Sequence, residues 1–156
     1  MAAKKMAIIA TKGALDMAYP PLILASTAAA LGWEVQVFFT FYGLQLLRKD
    51  LDHIQISPLA NPAMPMPVPM PVVVSVLPGM QAMATSMMKA KMKKKGVASL
   101  AELRGLCKEA DVKMIACQMT VDLFEFSKDD FIDGIEYGGA ATFLKFAGET
   151  DVCLFI

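Results

Sequence analysis

The sequence predicts an α/β protein built on a parallel sheet with helices packed against it. An apolar run, a helical stretch and a β-branched run follow one another from Lys5 to Phe41, the spacing of one βαβ unit with a right-handed crossover. The same alternation returns after Ser99, where helical patterns separate Val112–Cys117 from a last apolar run, DVCLFI. The chain has 156 residues, which suits one domain with a sizeable core, spanning 1–156.

The elements follow in order. Lys5 to Ala10 (KMAIIA) is too apolar to alternate and reads as a buried parallel strand. Thr11-Lys12-Gly13 is a turn, and it carries neither GxGxxG nor the Walker pattern, so no nucleotide fingerprint is present. Leu15 to Leu31 is rich in Ala and Leu and stops at Gly32, as helices do. Pro20 and Pro21 near its start are expected to kink or delay it. Glu34 to Phe41 (EVQVFFTF) is a second strand, and Gly43 to Arg48 a short helix.

Asn61 to Pro71 (NPAMPMPVPMP) has proline at alternate positions over most of its length, which forbids helix and central strand; it reads as an extended insertion. An apolar helix is expected after it, so that insertion and helix together occupy about 61–95. KAKMKKK closes that helix with five lysines between Lys89 and Lys95, and Gly96 ends it. Ser99 with Glu102 three residues on forms a capping box for a helix to about Ala110. Val112 to Cys117 is the third strand, and Thr120 or Asp122 opens the next helix. Gly134 to Gly139 is a loop or short strand, Ala140 to Ala147 a helix, and Asp151 to Ile156 the last strand.

Composition removes several function classes. Net charge is zero, which argues against bulk nucleic-acid binding. A single histidine, His53, sits in a polar turn and rules out a multi-histidine metal centre. The three cysteines, Cys107, Cys117 and Cys153, match no CxxC pair and no zinc spacing, so no metal site is expected. MAAKKMAII is too short in its apolar part for a signal peptide, and a reducing cytoplasmic setting with free thiols is the expectation. Hydrophobic residues make up 56% of the chain, thirteen of them methionines, which points to an oligomer or a membrane surface.

In open α/β sheets, reactive groups gather beyond the carboxyl ends of the strands. Three segments reach that edge: Thr11-Lys12-Gly13, Thr40-Phe41-Tyr42-Gly43 and Cys117-Gln118. They supply Cys117 as the candidate nucleophile, with Lys12, Gly13, Thr40, Phe41, Gly43 and Gln118 around it. Helix N-terminal amides and the Lys12 ammonium would favour thiolate over thiol. Position alone also fits the alternative, a small buried residue that fills space. Cys107 shares a helical stripe with Leu100, Leu103 and Leu106 and reads as packing. Its helix runs antiparallel to the following strand, so five strand steps of about 3.3 Å put it roughly 16 Å from Cys117. A disulfide needs Cα atoms within about 7 Å, which excludes that pair. Cys153 is expected in the core. Asp16 and Tyr19 either point toward the Thr11–Gly13 turn or are ordinary helix residues.

TKGALDMAYPPLILASTAAALGWEVQVFFTFYGLQLL and VKMIACQMTVDLF, together with the NPAMPMP insertion, resemble the DsrE/DsrF/DsrH-like sulfur-relay proteins. The resemblance covers nearly the whole chain, and within the family it is closest to a branch with that insertion and a single ACxM cysteine. It implies a flavodoxin-like three-layer fold with helices on both faces of the sheet, and a homo-oligomer. It also implies a cytoplasmic sulfur carrier, or sulfurtransferase, that needs no cofactor. Cys117 would hold sulfane sulfur as a persulfide or thiosulfonate and exchange it with TusA-like carriers and rhodaneses. The segment VDLFEF departs from that pattern, where a small residue near Glu125 is expected. Two other readings compete. Val68 to Met88 followed by KAKMKKK suits a membrane-associated or oligomeric adaptor without catalysis, although Pro69, Pro71 and Pro78 oppose a full span. A thiol peroxidase reading lacks a resolving cysteine and the matching active-site pattern.

Overall fold

The computed structural model describes residues 2 to 156. Five strands form one sheet: β1 (Lys5–Ala10), β2 (Glu34–Phe39), β3 (Lys113–Cys117), β4 (Glu136–Gly138) and β5 (Val152–Phe155). Their order is β4-β3-β2-β1-β5, and every pairing is parallel. The helices are α1 (Leu15–Ala30), α2 (Val72–Ser75), α3 (Met80–Lys94), α4 (Leu100–Glu109), α5 (Gln118–Leu123) and α6 (Ala140–Ala147).

Handedness divides these helices between two faces. The chain steps from β1 to β4 in one direction and returns past β1 to β5 in the other. Right-handed crossovers place the outward connections on one face and the return on the opposite one. Accordingly, α1 and α4 pack with Met6, Ile8, Val37, Phe39 and Met114 in the larger core. Among the described residues helix α6 alone covers the other face, where Phe143 and Phe146 meet Ala7, Phe38, Ile115 and Cys117. The three-layer α/β expectation is borne out.

Local chemistry explains the boundaries. Helix α1 starts at Leu15 and runs through both Pro20 and Pro21, so the prolines do not delay it, and it ends where Gly32 turns left-handed at φ 80°. Strand β2 stops at Phe39, two residues short of expectation, because Phe41 takes a left-handed φ of 47° and starts a 3₁₀ segment over Phe41–Leu47. The capping box is present: Ser99 Oγ accepts from the Glu102 amide, and the Glu102 carboxylate accepts from Ser99 N–H at 2.6 Å.

The insertion is irregular and not extended throughout: it turns at Pro62-Ala63, where the Met64 amide donates to the Asn61 carbonyl at 3.1 Å, and then places Met64, Met66 and Met70 toward the core and Pro65, Pro67 and Pro69 toward solvent. The apolar helix expected after it is not continuous. Pro78 and the left-handed Gly79 break it into α2 and α3. Among the described residues no helix is long and apolar enough to cross a membrane. Helix α3 lies on the core through Met80, Ala84, Met88 and Met92, spaced four apart. Its lysines are exposed, as a solvated face would be.

Two expectations about packing fail. Leu106 does not join the buried stripe of α4; it is 49% exposed. Cys153 is exposed rather than in the core. It lies on the edge strand β5, across from Ala7, on the face that α6 alone covers.

Candidate functional site

The carboxyl edge of the sheet is assembled by two backbone crossings that only glycine permits. A Cβ on Gly43 would run into the Ala10 carbonyl, and one on Gly13 into the Tyr42 carbonyl. The turns after β1 and β2 therefore lie directly on each other. Thr11 ties the same edge to the C-terminus, its amide donating to the Ile156 carbonyl at 2.9 Å and its hydroxyl at 3.0 Å.

Cys117 ends β3 and is itself the residue before the first turn of α5, so that helix opens earlier than the predicted Thr120 or Asp122. The side chain points to the α6 face and is 5% exposed. Its neighbour on β4 is Gly138, which contributes no side chain of its own beside the sulfur. On the β2 side the strand continues into Thr40. The Thr40 and Thr120 hydroxyls lie 3.2 Å apart, and Thr120 Oγ1 also accepts from the Phe41 amide at 3.1 Å. Thr120 is fully buried.

Burial pushes the Cys117 thiol up. The Thr120 and Thr40 hydroxyls and the Thr120 and Met119 amides outweigh it, and the thiol ionises below the ordinary cysteine range. Hydroxyl and amide dipoles thus do what a cationic partner does in other reactive cysteines.

Of the predicted site residues, Thr40 and Phe41 stand with Cys117, and Gly13 and Gly43 serve the crossings behind them. Lys12 does not join the thiol's neighbours; it is exposed and borders a hollow with Tyr42, Gln45 and Ser57. Gln118 donates its side-chain amide to Asp122 at 2.8 Å, within its own helix. Asp16 and Tyr19 do not serve the site. The Asp16 carboxylate accepts from the Ser57 amide and hydroxyl, both at 2.7 Å, and the Tyr19 hydroxyl donates to Ala98. Sequence reasoning missed Thr120 as a site residue. Its signal was present: a hydroxyl three residues after a strand-ending cysteine returns one helical turn later to the strand end. VDLFEF builds an aromatic row, with Phe124 stacked on Tyr42 at 6.1 Å and edge-on to Phe126 at 5.8 Å. Glu125 adopts φ 54° there, a conformation that a smaller residue such as glycine would hold more readily.

These features can be set against known proteins. The model of the DsrE/DsrF/DrsH-like family matches residues 2–155. The chain belongs to that family. It is 68% identical over 160 aligned positions to the sulfur carrier protein DsrE2 of Allochromatium vinosum, covering all of both chains. It is 33% identical to the uncharacterized protein YrkE of Bacillus subtilis, over 98% of this chain and 97% of that one. The crystal structure of the ychN protein from E. coli shares the fold, with TM-score 0.56 at 12% identity over 98% of this chain and 99% of that one.

Cys107 lies in the larger core, apart from Cys117. It is fully buried, and its thiol meets the Leu22 carbonyl at 3.5 Å. Burial pushes it up to about 11 from an ordinary 9.0. The unfolded chain therefore ionises this thiol first, and stability falls as pH rises from about 9 to about 11. Two pH units correspond to a loss on the order of 3 kcal/mol. Urea titrations at pH 8 and pH 11 should show a steeper alkaline loss for the wild type than for Cys107→Ala, which removes the titrating group. Equal losses would place the ionisation elsewhere.

Proposed function

We propose that this protein is a sulfur carrier that holds sulfane sulfur on Cys117 and hands it to a second thiol. The observation that carries the reading is a cysteine at a parallel-strand end whose thiolate is favoured by two threonine hydroxyls and two amides, in a chain 68% identical to a named sulfur carrier.

The chemistry needs no histidine, because a thiolate is already a nucleophile. The Cys117 thiolate attacks the outer sulfur of a donor persulfide. A new S–S bond forms to Cys117, the donor S–S bond breaks, and its electron pair leaves on the donor thiolate. An acceptor thiolate then repeats the step on the Cys117 persulfide and regenerates the Cys117 thiolate, with no net redox change. Attack on tetrathionate gives a Cys117 thiosulfonate and releases thiosulfate by the same displacement. TusA-like carriers and rhodaneses are the proposed exchange partners, acting in the cytoplasm.

Intact mass spectrometry after incubation with polysulfide or tetrathionate tests the reading. The expected result is an adduct of one or more sulfur atoms, or of the thiosulfonate, that a dithiol removes. Protein that gains no mass would overturn it.

We also propose self-association. Val72, Val73, Val76 and Leu77 on and after α2, with Met83 and Met87 on α3, form an apolar stretch each more than half exposed. Such a surface marks an interface. Light scattering in detergent-free buffer should give a multiple of the single-chain mass, and Val73→Ser with Met87→Ser should lower it. A single-chain mass for the wild type would refute self-association.

A further inference from the structure

A cavity of about 450 Å³ lies between α3, the starts of α1 and α4, and the turn around Asp52. It is on the larger-core face of the sheet, whereas the Cys117 side chain is on the face under α6. Its volume is in the range of small-molecule sites.

The floor is apolar: Leu15, Ile54 and Leu100 are buried, and Met92 and Val97 form the sides. It has no free polar group to offer. The Tyr19 hydroxyl in its wall already donates to the Ala98 carbonyl at 3.0 Å, and no buried side-chain polar atom among the described residues lacks a partner. A sugar or nucleobase placed there would lose its water contacts without replacement. An alkyl or aryl body would not.

The rim is charged. Lys89 and Lys93 are one helical turn apart on α3, both border the cavity, and both are exposed. Neither forms an ion pair among the described residues. Two carboxylates share the rim. Glu102 is committed to its cap, where the Ser99 amide first, and then the Ser99 hydroxyl, hold it below the usual carboxylate range. Asp52 is the remaining counter-charge.

We propose that this cavity binds a small amphiphile with a single alkyl tail and an anionic head. The tail lies on Leu15, Ile54 and Leu100, and the head sits between Lys89 and Lys93. The site is independent of sulfur transfer at Cys117.

Isothermal titration of the full chain with decanoate below its micellar range tests this, with decyltrimethylammonium and decanol as comparisons. One saturable site per chain is expected, with decanoate bound more tightly than either comparison. Ala101→Phe, at an exposed cavity-lining position, should weaken decanoate at least about tenfold by filling the space, with the circular dichroism of the variant unchanged. Val97→Phe gives a second cavity-filling variant should the first fail to fold. Lys89→Gln and Lys93→Gln should each cost decanoate about two- to fivefold, the size of an exposed ion pair, and leave decanol unchanged. Lys145→Gln, on the exposed side of α6 across the sheet from the cavity, should have no effect. Overturning results are non-saturable binding, equal affinity for the cationic amphiphile, undiminished binding in the folded cavity-filling variants, or loss on Lys145→Gln.

Discussion

Cys117→Ser, treated with polysulfide or tetrathionate and read by peptide mass spectrometry, is expected to lose the adduct that passes to an acceptor thiol and to keep only what the exposed Cys153 takes up, while Cys107→Ser and Cys153→Ser load Cys117 nearly as the wild type does. The distinction follows from how the three thiols are held. Serine preserves the size of the side chain but leaves an alkoxide precursor far too weakly acidic to attack sulfur at neutral pH. Cys107 is fully buried and ionises only near pH 11, so it is neither reachable nor a thiolate under these conditions. Cys153 is exposed and reacts with external reagents. It lies on the edge strand β5, with β1 and β2 between it and β3, so transfer to an acceptor thiol is expected from Cys117 and not from Cys153. Equal loading and equal transfer by Cys117→Ser would move the carrier role away from Cys117 altogether.

Thr120→Val is expected to raise the pH midpoint of Cys117 alkylation and to destabilise the fold together. The hydroxyl serves three groups. It favours the thiolate, meets the Thr40 hydroxyl at 3.2 Å and accepts from the Phe41 amide at 3.1 Å. Valine fills the same space and leaves the Phe41 N–H without a partner, which costs about 1–3 kcal/mol. The sign of the pH effect is fixed by linkage. A thiol that ionises more easily folded than unfolded adds stability once pH exceeds the ordinary cysteine value. That stability is lost as pH falls through the lowered folded value. The gap between wild type and Thr120→Val should therefore widen as pH rises through that window. Peptide mass spectrometry of iodoacetamide labelling reads the midpoint, and urea titrations at several pH values read the stability. Thr120→Ser keeps the hydroxyl and should restore both. A midpoint unmoved in Thr120→Val would remove the hydroxyl from the thiolate's support.

Most of the scaffold could be read from residue order because its signals are local. KMAIIA and VKMIAC are short and apolar, as strands buried on both faces must be. Ser99 and Glu102 announce their helix at the observed residue. The placement of Cys117 at a strand end was legible for the same reason. What was not legible depended on contacts between distant segments. The fate of Cys153 rests on which face the return crossover leaves thinly covered, a property of topology and not of DVCLFI. Lys12 looked available to the thiol from its neighbouring strand end. The tight crossing of Gly13 over Tyr42 instead leaves its side chain beside Gln45 and Ser57. Phe41 read as the end of a strand because aromatic residues favour strands. Its left-handed backbone accompanies a hydrogen bond from its amide to the hydroxyl of Thr120, 79 residues away.

Among the described residues helix α6, eight residues long, is the only helix over the face that holds Cys117, and four of the six buried residues in that cluster come from the sheet. A cover this small opens locally at a lower free energy than the whole molecule unfolds. Access to the thiol is then expected to go through openings of this one thin cover. A measured alkylation rate at Cys117 should be the product of two factors, the fraction of time the cover is open and the thiolate fraction once it is. Core substitutions under α6, such as Phe143→Leu, then act on sulfur exchange as a tuning of exposure time, without touching the chemistry of the sulfur itself.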